Sequence, residues 1–136
     1  MKQATCEERV KNNLDDQLDN LRKLWDLYCE GEESDPDLGT FDEYGLWFDY
    51  IAPDTYDDQD EGWFVYQLST GGPGDEFRFF VNPDLSVHRI EYWFLDWFDG
   101  ASRRLYGTDY DLLEEIYTSY FFESGTAQYR YDEATS

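Results

Sequence analysis

The chain has 136 residues, 40% of them apolar and 20% aromatic, and its 32 acids against 10 bases leave a formal net charge of −22. That length and aromatic content support a folded core and exclude an acidic disordered chain, which lacks the apolar area to offset ordering entropy. The charge argues against nucleic acid and anionic membrane as direct partners, because both need Lys or Arg at the contact, and it favours a basic protein, a cation or a high-salt solvent.

Thr5-Cys6-Glu7-Glu8 has the spacing of a capping box. Behind it Val10, Leu14, Leu18, Leu21, Trp25 and Tyr28 recur every three or four residues, with Leu24 and Leu27 widening the stripe, which predicts an amphipathic helix to Cys29 or Glu30 stopped by Gly31. The two cysteines, Cys6 and Cys29, then stand about 34 Å apart along the axis and cannot pair with each other. A reduced, cytoplasmic setting follows as the expectation, and the start, Met1-Lys2-Gln3-Ala4-Thr5, lacks the apolar run of a signal peptide.

From Gly31 to Gly62 the chain is acid-rich and holds no Lys or Arg. Phe41, Tyr44, Trp47, Phe48 and Ile51 have helical spacing, predicting a short second helix near 41–51 ended before Pro53, with loops at 32–40 and 53–61. Trp63–Leu68 and Glu76–Val81 read as strands around the turn cluster 69–74, and Ser86 to about Trp97 as a third. Pairing Val81 with Ser86 sets Phe77 opposite Ile90 and Arg78 opposite Arg89, and collects Phe77, Phe79, His88, Ile90, Tyr92 and Phe94 on a core face. Residues 96–100 read as a corner and Arg103–Arg104 as local charge balance. Thr108-Asp109 is expected to cap a final helix with Leu112, Leu113, Ile116, Tyr117, Tyr120 and Phe121 on its apolar face, ended by Gly125 and followed by a loosely held tail, 126–136. The expected architecture is one α+β domain: long N-terminal helix, short second helix, three-stranded antiparallel meander and C-terminal helix.

The inventory for catalysis is thin. His88 is the lone histidine, with no Ser or Cys at a motif spacing, and Gly71-Gly72-Pro73-Gly74 lacks the following Lys-Ser/Thr of a phosphate loop. No enzymatic activity and no cofactor are expected. Asp54, Asp57, Asp58, Asp60 and Glu61 are hard oxygen donors, but no register across them places the acids and glycine of a calcium-binding EF-hand loop, so no specific metal site is assigned.

The acids themselves are the candidate site. The 54 residues from Leu24 through Phe77 hold sixteen acids and no base. Asp15 and Asp19 lie one helical turn apart, about 6 Å, the order of charge spacing along a polynucleotide strand. The candidate partner-binding residues are therefore Asp15, Asp19, Asp35, Asp37, Asp42, Glu43, Asp54, Asp57, Asp58, Asp60 and Glu61, with Tyr56 as an exposed aromatic anchor among them and Trp47 assigned to the core. In size, charge and aromatic content the chain resembles the small acidic DNA-mimic inhibitors of phages and plasmids, including antirestriction and anti-CRISPR proteins. The resemblance rests on no alignable motif and carries over no residue. It implies a mode of action, occupation of the nucleic-acid-binding cleft of a basic protein such as a restriction or CRISPR effector nuclease. An immunity protein for a basic nuclease toxin, a salt-adapted protein and a calcium binder stay open beside it, as does a homodimer.

Overall fold

The computed structural model describes residues 6–31, 34–55, 58–69, 74–96 and 99–135. The chain is α+β: a helical layer covers one face of an antiparallel sheet. Helix α1 (Cys6–Cys29) runs as its periodicity predicts, with Val10, Leu14, Leu18, Leu21, Leu24 and Trp25 buried, and Gly31 at φ +82° closes it in the left-handed region. Thr5, the expected cap, lies outside the described residues, as do 70–73 of the glycine-rich turn.

The second helix is shorter than its spacing suggests. α2 covers only Phe41–Tyr44, capped by the Thr40 hydroxyl, which accepts the Glu43 N–H at 3.2 Å. Gly45 then takes an extended conformation, and Trp47–Ile51 forms strand β1. This segment carries both periodicities. Its aromatic and β-branched residues settle as a strand because pairing with Trp63–Ser69 (β2) satisfies the backbone, while Phe48 and Tyr50 alternate onto the core. A Cβ at Gly45 would run into the Tyr66 ring, so the glycine permits this close approach.

Strands β3 (Gly74–Val81), β4 (Val87–Asp96) and β5 (Asp99–Arg104) complete a meander, β1-β2-β3-β4-β5. Among the described residues the sheet therefore has five strands, where the sequence predicts three. β5 escapes sequence reading because Asp99-Gly100-Ala101-Ser102-Arg103-Arg104 shows no apolar alternation; of residues 100–104 only Ala101 is buried, and pairing with β4 beneath α1 makes it a strand.

The β3–β4 register differs from the expected one by two. Leu85, at φ +68° and buried, lengthens the turn, the Asn82 N–H donates to the Ser86 carbonyl at 2.8 Å, and an irregularity follows at Phe80/Val81. A shift of two preserves the faces, so Phe77, Phe79, Ile90, Tyr92 and Phe94 do form the core. Phe77 now faces Tyr92, and Arg78 faces Glu91 instead of Arg89. His88, expected inside, is exposed.

Helix α3 (Gly107–Ile116) begins about two residues earlier than expected, with Tyr106 at the cap position and Thr108 and Asp109 inside the first turn; Asp109 pairs with Arg22 at 3.4 Å. It continues as a π-helical turn, Tyr117–Phe122, which stacks Phe121 on Phe48 with centroids 3.9 Å apart and sends the Tyr117 hydroxyl to the Leu85 carbonyl at 2.7 Å. The tail is not loose. Thr126–Thr135 forms α4, which buries Ala127 and sets Tyr131 against Tyr50. Within the core the Asp75 carboxylate accepts from Gln17 Nε2 at 2.8 Å, the Ser69 hydroxyl at 2.5 Å and the Tyr92 hydroxyl at 2.6 Å, so this buried acid is fully engaged.

Candidate functional site

The helices cover one sheet face; the other carries the candidate site. Alternation puts Trp47, Asp49 and Ile51 of β1, Trp63, Val65 and Gln67 of β2, Glu76, Arg78 and Phe80 of β3, and Arg89, Glu91, Trp93 and Leu95 of β4 on the uncovered side. The register aligns Trp47, Gln67, Glu76 and Trp93 in one cross-strand row, and Asp49, Val65, Arg78 and Glu91 in the next.

Arg78 organises the middle of this face. Its guanidinium lies 4.6 Å from the Trp63 ring centre and 4.1 Å from that of Trp93, and its Nε donates to Glu76 Oε2 at 2.7 Å. Trp93 is itself oriented by its indole N–H, which donates to Glu91 Oε1 at 2.9 Å. Arg89 stacks on Phe80 at 3.9 Å and bridges Glu91 and Glu61, at 3.3 and 2.8 Å. Both arginines of the face are thus neutralised within the chain.

Residues 52–55 and 58–61 form the rim. Its buried Gln59 donates through Nε2 to the Ala52 and Glu61 carbonyls at 3.0 and 2.7 Å, and the Asp54 N–H donates to the Gln59 carbonyl at 3.0 Å. Asp54 and Asp58 sit at φ +64° and +58°, a left-handed conformation that aspartate tolerates better than most side chains. A Cβ at Gly62 would meet the Tyr50 hydroxyl and the Ile51 carbonyl, so the returning chain presses closely on β1. Rim and face enclose a concavity of about 680 Å³ lined by Trp47, Ile51, Asp58, Gln59, Trp63, Val65, Gln67, Glu76, Arg78, Trp93 and Leu95. A smaller one of about 270 Å³ adjoins it beneath Asp58, Asp60 and Glu61.

The candidate acids fall into separate groups. Asp58, Asp60 and Glu61 are exposed at the rim, with Asp54 exposed where the loop begins; Glu61 is tied to Arg89, while Asp58 and Asp60 have no ion pair among the described residues. Tyr56 and Asp57 lie outside the described residues. Asp15 and Asp19 are exposed on α1, away from this concavity. Asp42 and Glu43 are exposed on α2, Asp42 accepting the Tyr120 hydroxyl and Glu43 the Thr40 hydroxyl. Burial, and then the bond to Asp42, raise the Tyr120 hydroxyl above its usual range and keep it the donor.

Asp35 is a correction. It is only 7% exposed, accepts the Asp37 and Leu38 N–H groups at 2.8 and 3.0 Å, and pairs with Lys23 at 3.1 Å, so it builds the turn instead of facing a partner. Asp37 stays exposed beside it. Trp47 is the second correction: expected in the core, it is 46% exposed on the open face. A sequence signal for that face exists in Trp63-Phe64-Val65-Tyr66, where large apolar residues occupy both parities. A strand whose second face meets only water alternates more cleanly.

Among the described residues no group of three or more His, Cys, Asp and Glu side chains is disposed to hold a metal ion, and no helix is long and apolar enough to cross a membrane. No family model, curated protein or solved structure matches the chain.

Proposed function

We propose that this protein is an acidic binding protein that occupies the nucleic-acid-binding cleft of a basic protein, in the manner of a DNA mimic. One observation carries the reading: charge is segregated in the fold. The base-free stretch 24–77 builds α2, β1, β2 and the first half of β3, and its exposed acids, Asp37, Asp42, Glu43, Asp54, Asp58, Asp60 and Glu61, stand in α2 and the connections around them, whereas Arg103 and Arg104 lie on β5 at the far edge of the sheet. Carboxylates held on a short helix and on connections packed against a sheet have fixed spacings, and fixed charge of one sign steers a cationic partner. Asp15, Asp16 and Asp19, exposed on a helix whose opposite stripe is buried, add a second array of set geometry.

The test is capture from a lysate of the producing cell at low ionic strength, followed by elution with rising salt. A basic nucleic-acid-binding protein should elute as salt rises, and duplex DNA should compete it off. Recovery of neutral or acidic proteins alone, or capture indifferent to both salt and DNA, would refute the reading.

A further inference from the structure

We infer that the open sheet face is an anchor pocket for an arginine side chain of the captured protein; this rests on the basic partner proposed above. The concavity has the volume of a side-chain or small-ligand site, and indoles line it: Trp47 and Trp93 at the two ends of one cross-strand row, roughly 14 Å apart by strand spacing, and Trp63 further along β2. An exposed indole, Trp47, and a carboxylate rim, Asp58, are what a guanidinium needs, a π face for stacking and an oxygen for its N–H fork. The chain already stacks a guanidinium between two indoles at this spot, since Arg78 lies between Trp63 and Trp93 on Glu76. A second guanidinium can use the exposed Trp47 and the rim.

Charge complementarity selects the occupant. Arg78 and Arg89 are held by Glu76, Glu61 and Glu91, which leaves Asp58 and Asp60 to set the sign of the site. A phosphate-bearing ligand would meet this rim and the net −22. A second copy of the chain would double that charge across the contact, whereas an arginine on a basic surface reduces it.

The probes are hexa-arginine and hexa-lysine peptides, titrated into the full chain while the indole N–H resonances are followed. Electrostatics alone treats the two peptides alike, and stacking favours arginine. Hexa-arginine is expected to bind about five- to tenfold more tightly. The Trp47 and Trp93 signals should move, and that of Trp25, buried in the core, should not. Trp47→Ala, at a half-exposed position, should erase the preference and leave the melting curve unchanged.

Equal affinities, movement confined to the amides of α1, or a preference surviving Trp47→Ala would overturn the inference. So would a dimer of the wild-type chain that Trp47→Ala dissociates, since this face would then seat a second copy. The two proposals fail separately. A basic protein retained equally by wild type and Trp47→Ala sinks the anchor and leaves capture intact. Arginine-selective binding by a chain that retains no basic protein supports the pocket and sinks the capture reading.

Discussion

Asp35 illustrates how an acid in an acidic protein can serve structure. The Asp37 N–H first, and then the Lys23 ammonium, hold its carboxyl below the ordinary carboxylate range. A folded-state value lower than the unfolded one contributes stability above the unfolded value, near 4, and loses it as pH falls through the folded value. The 34–40 turn should therefore be indifferent to pH between 7 and 5 and loosen only below about pH 4. Amide shifts of Asp37 and Leu38, followed from neutral to acid, should stay constant and then move toward unstructured values; an earlier transition, near pH 6, would show that another group holds the turn. Asp35 also marks a limit of reading charge from sequence. Nothing in Glu33-Ser34-Asp35-Pro36-Asp37 distinguishes the carboxylate that turns inward from the one that faces water, because Lys23 and the two amides meet Asp35 only once α1 and the turn are folded.

At the scale of elements, α4 is the sharpest departure from expectation and the easiest to test. Gln128-Tyr129-Arg130-Tyr131-Asp132 offers little amphipathic pattern, yet the helix docks on β1 through Ala127 and through Tyr131 against Tyr50, 4.9 Å between ring centres. Ending the chain at Gly125 uncovers that edge. Losing one aromatic contact and its buried area should cost about 2–3 kcal/mol and lower the melting temperature by roughly 10 °C. A truncated chain that melts with the intact one would show that the docking contributes nothing. Elements with a strong period or a run of β-branched and aromatic residues between turn signals were legible: α1, β2, β3, β4 and the apolar face of α3. Those misread share a cause. Residues 41–51 satisfy two periods at once, β5 has almost no apolar residue, and α4 owes its place to a partner strand that was itself read as helix. The rim of the candidate site was visible in its acids; its indoles were signalled only by the apolar residues at both parities of β2, which do not reveal which of the two faces a helix will cover.

For the whole molecule the question is how a chain of charge −22 stays compact. Part of the answer is local: Arg78 and Arg89 lie among Glu61, Glu76 and Glu91, and Arg22 and Lys23 reach Asp109 and Asp35. The remainder must be offset by an aromatic core extending from Phe41 through Phe48, Phe64 and Tyr117 to Phe79. Repulsion between exposed charges is screened over about 8 Å at physiological ionic strength. Melting temperature should therefore rise with KCl up to a few tenths molar and then level off, with the chain folded in ordinary buffer throughout. A requirement for molar salt would instead identify an adaptation to brine and remove the motive for a charged binding surface.

The meander has a consequence for how the chain is made. Each strand pairs with its neighbour in sequence, so the sheet can grow as it leaves the ribosome, closing one short loop after another. The first helix cannot follow that order, since it lies against β4 and β5, the last strands to emerge. From the synthesis of Cys29 until Arg104 is in place, its row of leucines waits without a cover.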